Sequence, residues 1–186
     1  MGTLPTRRPR QNRGQQQVAP QTTMLLTKAK HTINQALQKD WEVLWTHGRH
    51  GRTLHRLGTK PDKKTLQLHQ NLPRPISSVI TQMRTDKIGL AAYLHSINKA
   101  ETSRCSCNHG EQTVEHVLLK CRQWVTEREE MWAGGRRVLS LKGVLNDPKM
   151  VVRAAKMMLK TGLLGQFQHI NAESLEASSQ RQAKDS

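Results

Sequence analysis

The chain has few aromatic residues, no acid before Asp40, no cysteine outside one short window and no long apolar run. Aromatic side chains make up 3% of it, namely Trp41, Trp45, Tyr93, Trp124, Trp132 and Phe167. So few rings exclude an obvious base-stacking platform of the kind that holds single-stranded nucleic acid. No run approaches the roughly 20 consecutive apolar residues a membrane helix needs, so no membrane partner is expected. Three cysteines cannot pair off, and no secretory signal peptide precedes them. A reducing intracellular compartment, nucleus or cytoplasm, is the expectation. The opening Met-Gly-Thr-Leu-Pro-Thr fits the loose myristoylation pattern, but so short a pattern is often matched by chance.

Catalytic signatures are scarce too. No Gly-rich phosphate loop and no Ser/His/Asp arrangement is readable, and residues 1–100 hold only Asp40, Glu42, Asp62 and Asp86 as acids. "PDKK", Pro61–Lys64, is half of a restriction-type nuclease signature, but it sits in a Lys/Gly-rich stretch with no strand to present it. No enzyme and no small-molecule substrate is expected.

Positive charge is abundant. The net charge is +16, and it is lopsided: residues 1–100 carry 17 Lys and Arg against 4 acids, and residues 101–186 carry 13 against 10. Such a balance favours a polyanionic partner, RNA or DNA, bound through phosphate contacts with release of counterions. The residues expected to make those contacts are Arg7, Arg8, Arg10 and Arg13 in the first segment and Arg49, Arg52, Arg56, Lys60, Lys63 and Lys64 in a second. A solvated basic surface without a specific partner is the plainer alternative.

The hydropathy pattern predicts a mainly α chain. Residues 1–22, rich in Arg, Gln, Pro and Thr, read as a disordered basic arm. Over 23–47, Leu26, Ala29, Ile33, Leu37, Trp41 and Leu44 recur at three- and four-residue steps and form one apolar stripe of an amphipathic helix. Residues 48–64 read as a basic linker and 65–104 as a helical region. There Pro75 opens a helix with Ile76, Val79, Ile80 and Met83 inward, and Leu90, Tyr93, Leu94 and Ile97 face inward after it. Thr113 is an expected N-cap for a helix running to about Trp132, ended by Gly134-Gly135. Across 122–170, Val138, Leu141 and Leu145 suggest a short connecting helix. Asp147 then caps, Pro148 opens and Gly162 closes the last helix, whose apolar face is Val151, Ala154, Ala155, Met158 and Leu159. Leu163, Leu164 and Phe167 are expected to fold back onto it, and 171–186 reads as a polar tail.

The cysteines lie in 105–121 with the spacing Cys-x-Cys-x₈-His-x₄-Cys. Cys105, Cys107, His116 and Cys121 are the ligand set of one structural Zn²⁺ in a knuckle, with His109 as a rival fourth ligand. Four protein ligands leave no open position for water, so the ion is expected to pin the helices rather than catalyse. His116 and Cys121, five residues apart, lie about 500° apart on an α-helix and so share no face. The turn between them must begin late or loosen.

"SSVITQMRTDKIGLAAYLHSI" (Ser77–Ile97), the cysteine knuckle, "ERE" (Glu127–Glu129) and "RAAKMMLKTGLLGQF" (Arg153–Phe167) occur in one order. That order resembles the C-terminal region of fungal Tad-type non-LTR (LINE-type) retrotransposon polyproteins, over roughly Trp41 to Phe167. In that family the segment follows the reverse transcriptase and RNase H domains, and its Cys-Cys-His-Cys knuckle is taken to contact RNA or DNA. The resemblance implies Cys105, Cys107, His116 and Cys121 as zinc ligands and adds Arg84 and Lys87 to the nucleic-acid set. The family stretch usually reads Arg-Thr-Gly-Lys-Ile-Gly-Leu, and Asp86 stands here in place of the first glycine. The Asp-Asp pair of a polymerase is missing from the chain. The expectation is therefore a non-catalytic nucleic-acid-binding zinc module, a small helical domain pinned by its knuckle. A protein-interaction piece docking through the Trp124/Trp132 and Met157/Met158 helices, and a remnant of a decayed element, are the alternatives.

Overall fold

Asp147 and Pro148 fix the start of the helix around which the core is built. The Asp147 carboxylate accepts from the amides of Lys149 (2.9 Å) and Met150 (2.8 Å), two of the donors a helix start leaves unpaired. Pro148 needs no such partner. The helix ends at Lys160, and Gly162 turns the chain with φ of 66°. The computed structural model describes residues 20–60, 62–134, 137 and 139–170. The first part of the expected basic arm (with Arg7, Arg8, Arg10 and Arg13), Gly135, Val138 and the polar tail lie outside the described residues.

The chain is mainly α, with no strand among the described residues. Its helices are α1 (Pro20–His47), α2 (Arg52–Arg56), α3 (Lys64–Gln67), α4 (Arg74–Thr85), α5 (Ala91–Ser96), α6 (Val125–Trp132), α7 (Leu141–Asn146) and α8 (Pro148–Lys160). The chain divides into two units, with the boundary after Trp41. No helix among the described residues is long and apolar enough to cross a membrane.

In the second unit α8 packs on α4, α6 and α7 and on the turn that carries His116. Val151, Ala154, Ala155 and Met158 of α8 meet Ile76, Val79, Ile80 and Met83 of α4 in one core, all buried. Removing a side chain of this size from water contributes roughly 1.5–3 kcal/mol. Two small alanines at successive positions of α8 leave room for a neighbouring helix to approach. Leu164 folds back into the core, with Leu163 and Phe167 packed on its edge.

Several expectations are corrected. The basic linker is partly helical: α2 occupies Arg52–Arg56, and Leu57 behind it is buried. Trp45 Nε1 donates to Thr59 O at 2.9 Å across this segment, so tertiary contacts order what composition alone reads as a linker. The long helix from Thr113 to Trp132 is broken at Cys121, whose backbone is extended. Ile97 is exposed, unlike Leu90. Trp132, Met157 and Met158 are in the core, and Trp124 packs against it, so these side chains are spent internally.

Candidate metal centre

Cys105, Cys107, His116 and Cys121 converge. One ligand atom from each, all within 4.8 Å of one another, makes a group that can hold a metal ion. Three devices build it. The first is a tight turn: Asn108 N donates to Cys105 O (2.9 Å) and Cys105 N to Gly110 O (2.9 Å). Asn108, with φ of 59°, and Gly110, with φ of 138°, take positive-φ conformations there. Asn tolerates the first, while the second is open mainly to glycine. A Cβ on Gly110 would stand 3.5 Å from His116 Nδ1, an ordinary van der Waals contact, so the backbone conformation and not the ring is what calls for glycine.

The second device loosens the helix. Thr113 Oγ1 accepts from His116 N at 3.1 Å as the expected cap, and the chain then runs through a π-helical turn, His116–Lys120. Cys121 N closes it on His116 O at 2.7 Å, a bond spanning five residues rather than four. That bond brings residue 121 back over residue 116. It solves the problem posed by the His-x₄-Cys spacing, because an α-turn would point the two side chains apart.

The third is Arg128 of α6, the arginine of "ERE". Its guanidinium is buried and donates from Nε to Leu118 O (3.0 Å) and from a terminal nitrogen to Cys121 O. It thus satisfies carbonyls that the π-turn and the extended residue after it leave without helical partners. Burial lowers its pKa, and the neighbouring Cys121 works to raise it.

Within the group, Cys105 Sγ and Cys121 Sγ are 3.7 Å apart, and Cys107 Sγ is 3.1 Å from His116 Nε2. All three cysteines are free thiols. The His109 amide, 3.5 Å from Cys107 Sγ, holds that thiol down to about 6. Burial opposes this shift, and hydrogen bonds with Cys105, His116 and Cys121 reinforce it. Burial pushes the Cys121 thiol up to about 11, a poor ligand until a cation displaces its proton. The His109 ring is exposed and bonds the Cys107 carbonyl, so the fourth position belongs to His116 and not to its rival.

The knuckle is tied to the helices beside it. Gln112 Oε1 accepts from the amide of Ala91 at the start of α5 (2.9 Å), and Ser106 Oγ donates to Gln123 Oε1 (2.6 Å). Between the knuckle and the helices lies a cleft of about 710 Å³, lined by Arg56, Lys87, Tyr93 and Lys142 among others. Arg56 and Lys87 belong to the expected phosphate set, and Lys142, which is not in that set, stands with them at the cleft.

Arg49, Lys60, Lys63 and Lys64 are exposed. Arg52 is committed elsewhere, donating to the carbonyls of Trp45, Thr46 (2.9 Å) and His50 (3.4 Å). Arg84 is a correction. It is buried, donating to Leu145 O, Asn146 Oδ1 (2.9 Å) and Thr59 Oγ1 (2.7 Å), and so is withdrawn from the surface. Asp86, beside it, is the left-handed residue that ends α4, with φ of 57°, a position glycine occupies without strain. No family model, no curated protein and no solved structure matches the chain.

Proposed function

We propose that the chain is a zinc-stabilised helical module that binds RNA or DNA through phosphate contacts and has no catalysis of its own. The observation that carries the metal half is the Cys-Cys-His-Cys group closed by a π-turn. With metal–sulfur bonds of about 2.3 Å, sulfurs of a tetrahedral site stand about 3.8 Å apart. The separation of 3.7 Å between Cys105 and Cys121 fits that edge and is far longer than a disulfide. Three thiolates and an imidazole select zinc over hard cations. Zinc bound here supplies a folding clamp. Three thiolates on a divalent ion leave a net charge of about −1, which the Arg128 guanidinium faces.

The nucleic-acid half rests on a net charge of +16 and on Arg56, Lys87 and Lys142 at one cleft beside the knuckle, where Asp86 and Glu115 offset part of their charge. Tyr93 at the same cleft offers a ring to a base. The order of motifs supports descent from the C-terminal segment of a LINE-type reverse transcriptase polyprotein, where such a module follows the catalytic domains. The test is binding of the full chain to RNA and DNA oligonucleotides by fluorescence anisotropy over a salt series. Affinity is expected to fall linearly on a log–log plot, and Lys87→Ala to reduce the slope by about 0.7–0.9. An affinity that hardly changes with salt would remove the reading.

A further inference from the structure

The cleft beside the knuckle offers more than charge. Helix α2, the end of α4, helix α5, the knuckle segment and α7 surround it, all within the second unit. Its lining is mainly apolar: buried Leu57, Ile88, Leu90 and Val114 form part of the wall, and the partly buried Tyr93 lines it too. The two carboxylates there are paired, Asp86 with Arg56 at 3.7 Å and Glu115 with Lys120 at 2.7 Å. Lys87 and Lys142 are exposed and have no ion-pair partner among the described residues. Gln112 Oε1 is held by the Ala91 amide, which leaves the Gln112 amide nitrogen without a partner among the described residues.

Phosphates need neither apolar walls nor a ring. A double helix keeps its bases stacked, so it meets the two lysines and leaves the apolar wall uncovered. A volume of about 710 Å³ falls within the ~300–1,000 Å³ of sites that enclose one small ligand. We propose that this cleft takes one unstacked nucleotide of a single strand. Its base lies against Tyr93 and the apolar wall, and its flanking phosphates meet Lys87 and Lys142. The Gln112 amide nitrogen donates to an acceptor on the base edge. The inference rests on the nucleic-acid reading above and narrows it to single strands, loops and frayed ends. One ring suits one nucleotide, in keeping with a chain too poor in aromatics for a longer stacking platform.

The experiment measures binding of the full, reduced, zinc-supplemented chain by fluorescence anisotropy to three DNA probes of equal length. They are a single strand, its duplex and a strand of abasic residues, with the first two repeated as RNA. Phosphate contacts alone favour the duplex, whose charge is denser, so a single-strand preference has to come from the bases. The single strand is expected to bind about tenfold or more tighter than either other probe, and a preference in DNA, RNA or both supports the inference. Tyr93→Leu keeps apolar bulk without the ring. It should lose about tenfold on the single strand and nothing on the abasic strand, while Tyr93→Phe should bind as the wild type does. Zinc content and helicity check that each variant folds, and if Tyr93→Leu does not, the abasic comparison decides. Equal affinity for the three probes, a duplex bound tightest or a preference that survives Tyr93→Leu would overturn the inference. Salt-dependent binding in those cases leaves the phosphate reading standing. Undetectable or salt-independent binding of every probe would overturn both.

Discussion

Replacing Arg84 by methionine separates two roles that sequence cannot distinguish. Methionine fills much of the same space but removes bonds to Leu145 O, Asn146 Oδ1 and Thr59 Oγ1. Hydrogen bonds from a charged donor contribute about 1.5–3 kcal/mol each, and a buried acceptor left alone costs about 1–3 kcal/mol. Against this, methionine escapes the desolvation that lowers the Arg84 pKa. The net loss is expected to be about 2–4 kcal/mol, read as a lower urea midpoint with an unchanged denaturant slope. Arg84→Lys should fall between the two, because one ammonium cannot reproduce a planar fork reaching three acceptors. Under conditions where both proteins are folded, the salt dependence of RNA binding should not change. A stability within about 0.5 kcal/mol of wild type, with a shallower salt slope, would refute the structural role and return Arg84 to the phosphate contacts.

Two further outcomes follow from the knuckle and its neighbours. Asp86→Gly should stabilise the chain by about 0.5–1 kcal/mol by relieving the left-handed backbone, despite losing the exposed ion pair to Arg56. Burial holds the Asp86 carboxyl above its usual value of 3.8, so the folded chain keeps that proton to higher pH than the unfolded one. Its ionisation therefore costs stability as pH rises through that interval, and the gain from glycine should be larger near neutrality than in acid. Equal gains at both would contradict this. Gly110→Ala places a Cβ in a backbone conformation with φ of 138° and beside His116 Nδ1. Strain of about 1–3 kcal/mol should weaken metal affinity by about tenfold or more in a chelator competition, and an unchanged affinity would mean the turn relaxes freely.

The legible parts of this molecule are those whose causes are local. The cap and proline of α8 and its closing Gly162 are local signals, and the structure follows them. The same holds for the α4 face, where the spacing of Ile76, Val79, Ile80 and Met83 sets the buried side. The ligand set was readable because thiols cluster in one window, and even the strain in the His-x₄-Cys step could be anticipated, though not the π-turn that relieves it. Roles that depend on distant carbonyls were not legible. Arg84 reads as a phosphate contact and Arg128 only as the middle of a motif because arginine is seldom buried, and their acceptors at Leu145, Leu118 and Cys121 become neighbours only in the folded chain. Helix α2 escaped for the same reason: five residues carry too little periodicity to announce a helix, and Leu57 behind it is placed by the core.

The most direct measurement is the metal content of the purified, reduced chain, taken beside His116→Ala and His109→Ala. Cobalt substitution would serve as a second reading of tetrahedral thiolate coordination. The account predicts about one zinc per chain, lost together with helicity in His116→Ala and kept in His109→Ala. Metal-free protein with the same helicity, or zinc that survives His116→Ala and is lost with His109→Ala, would contradict it.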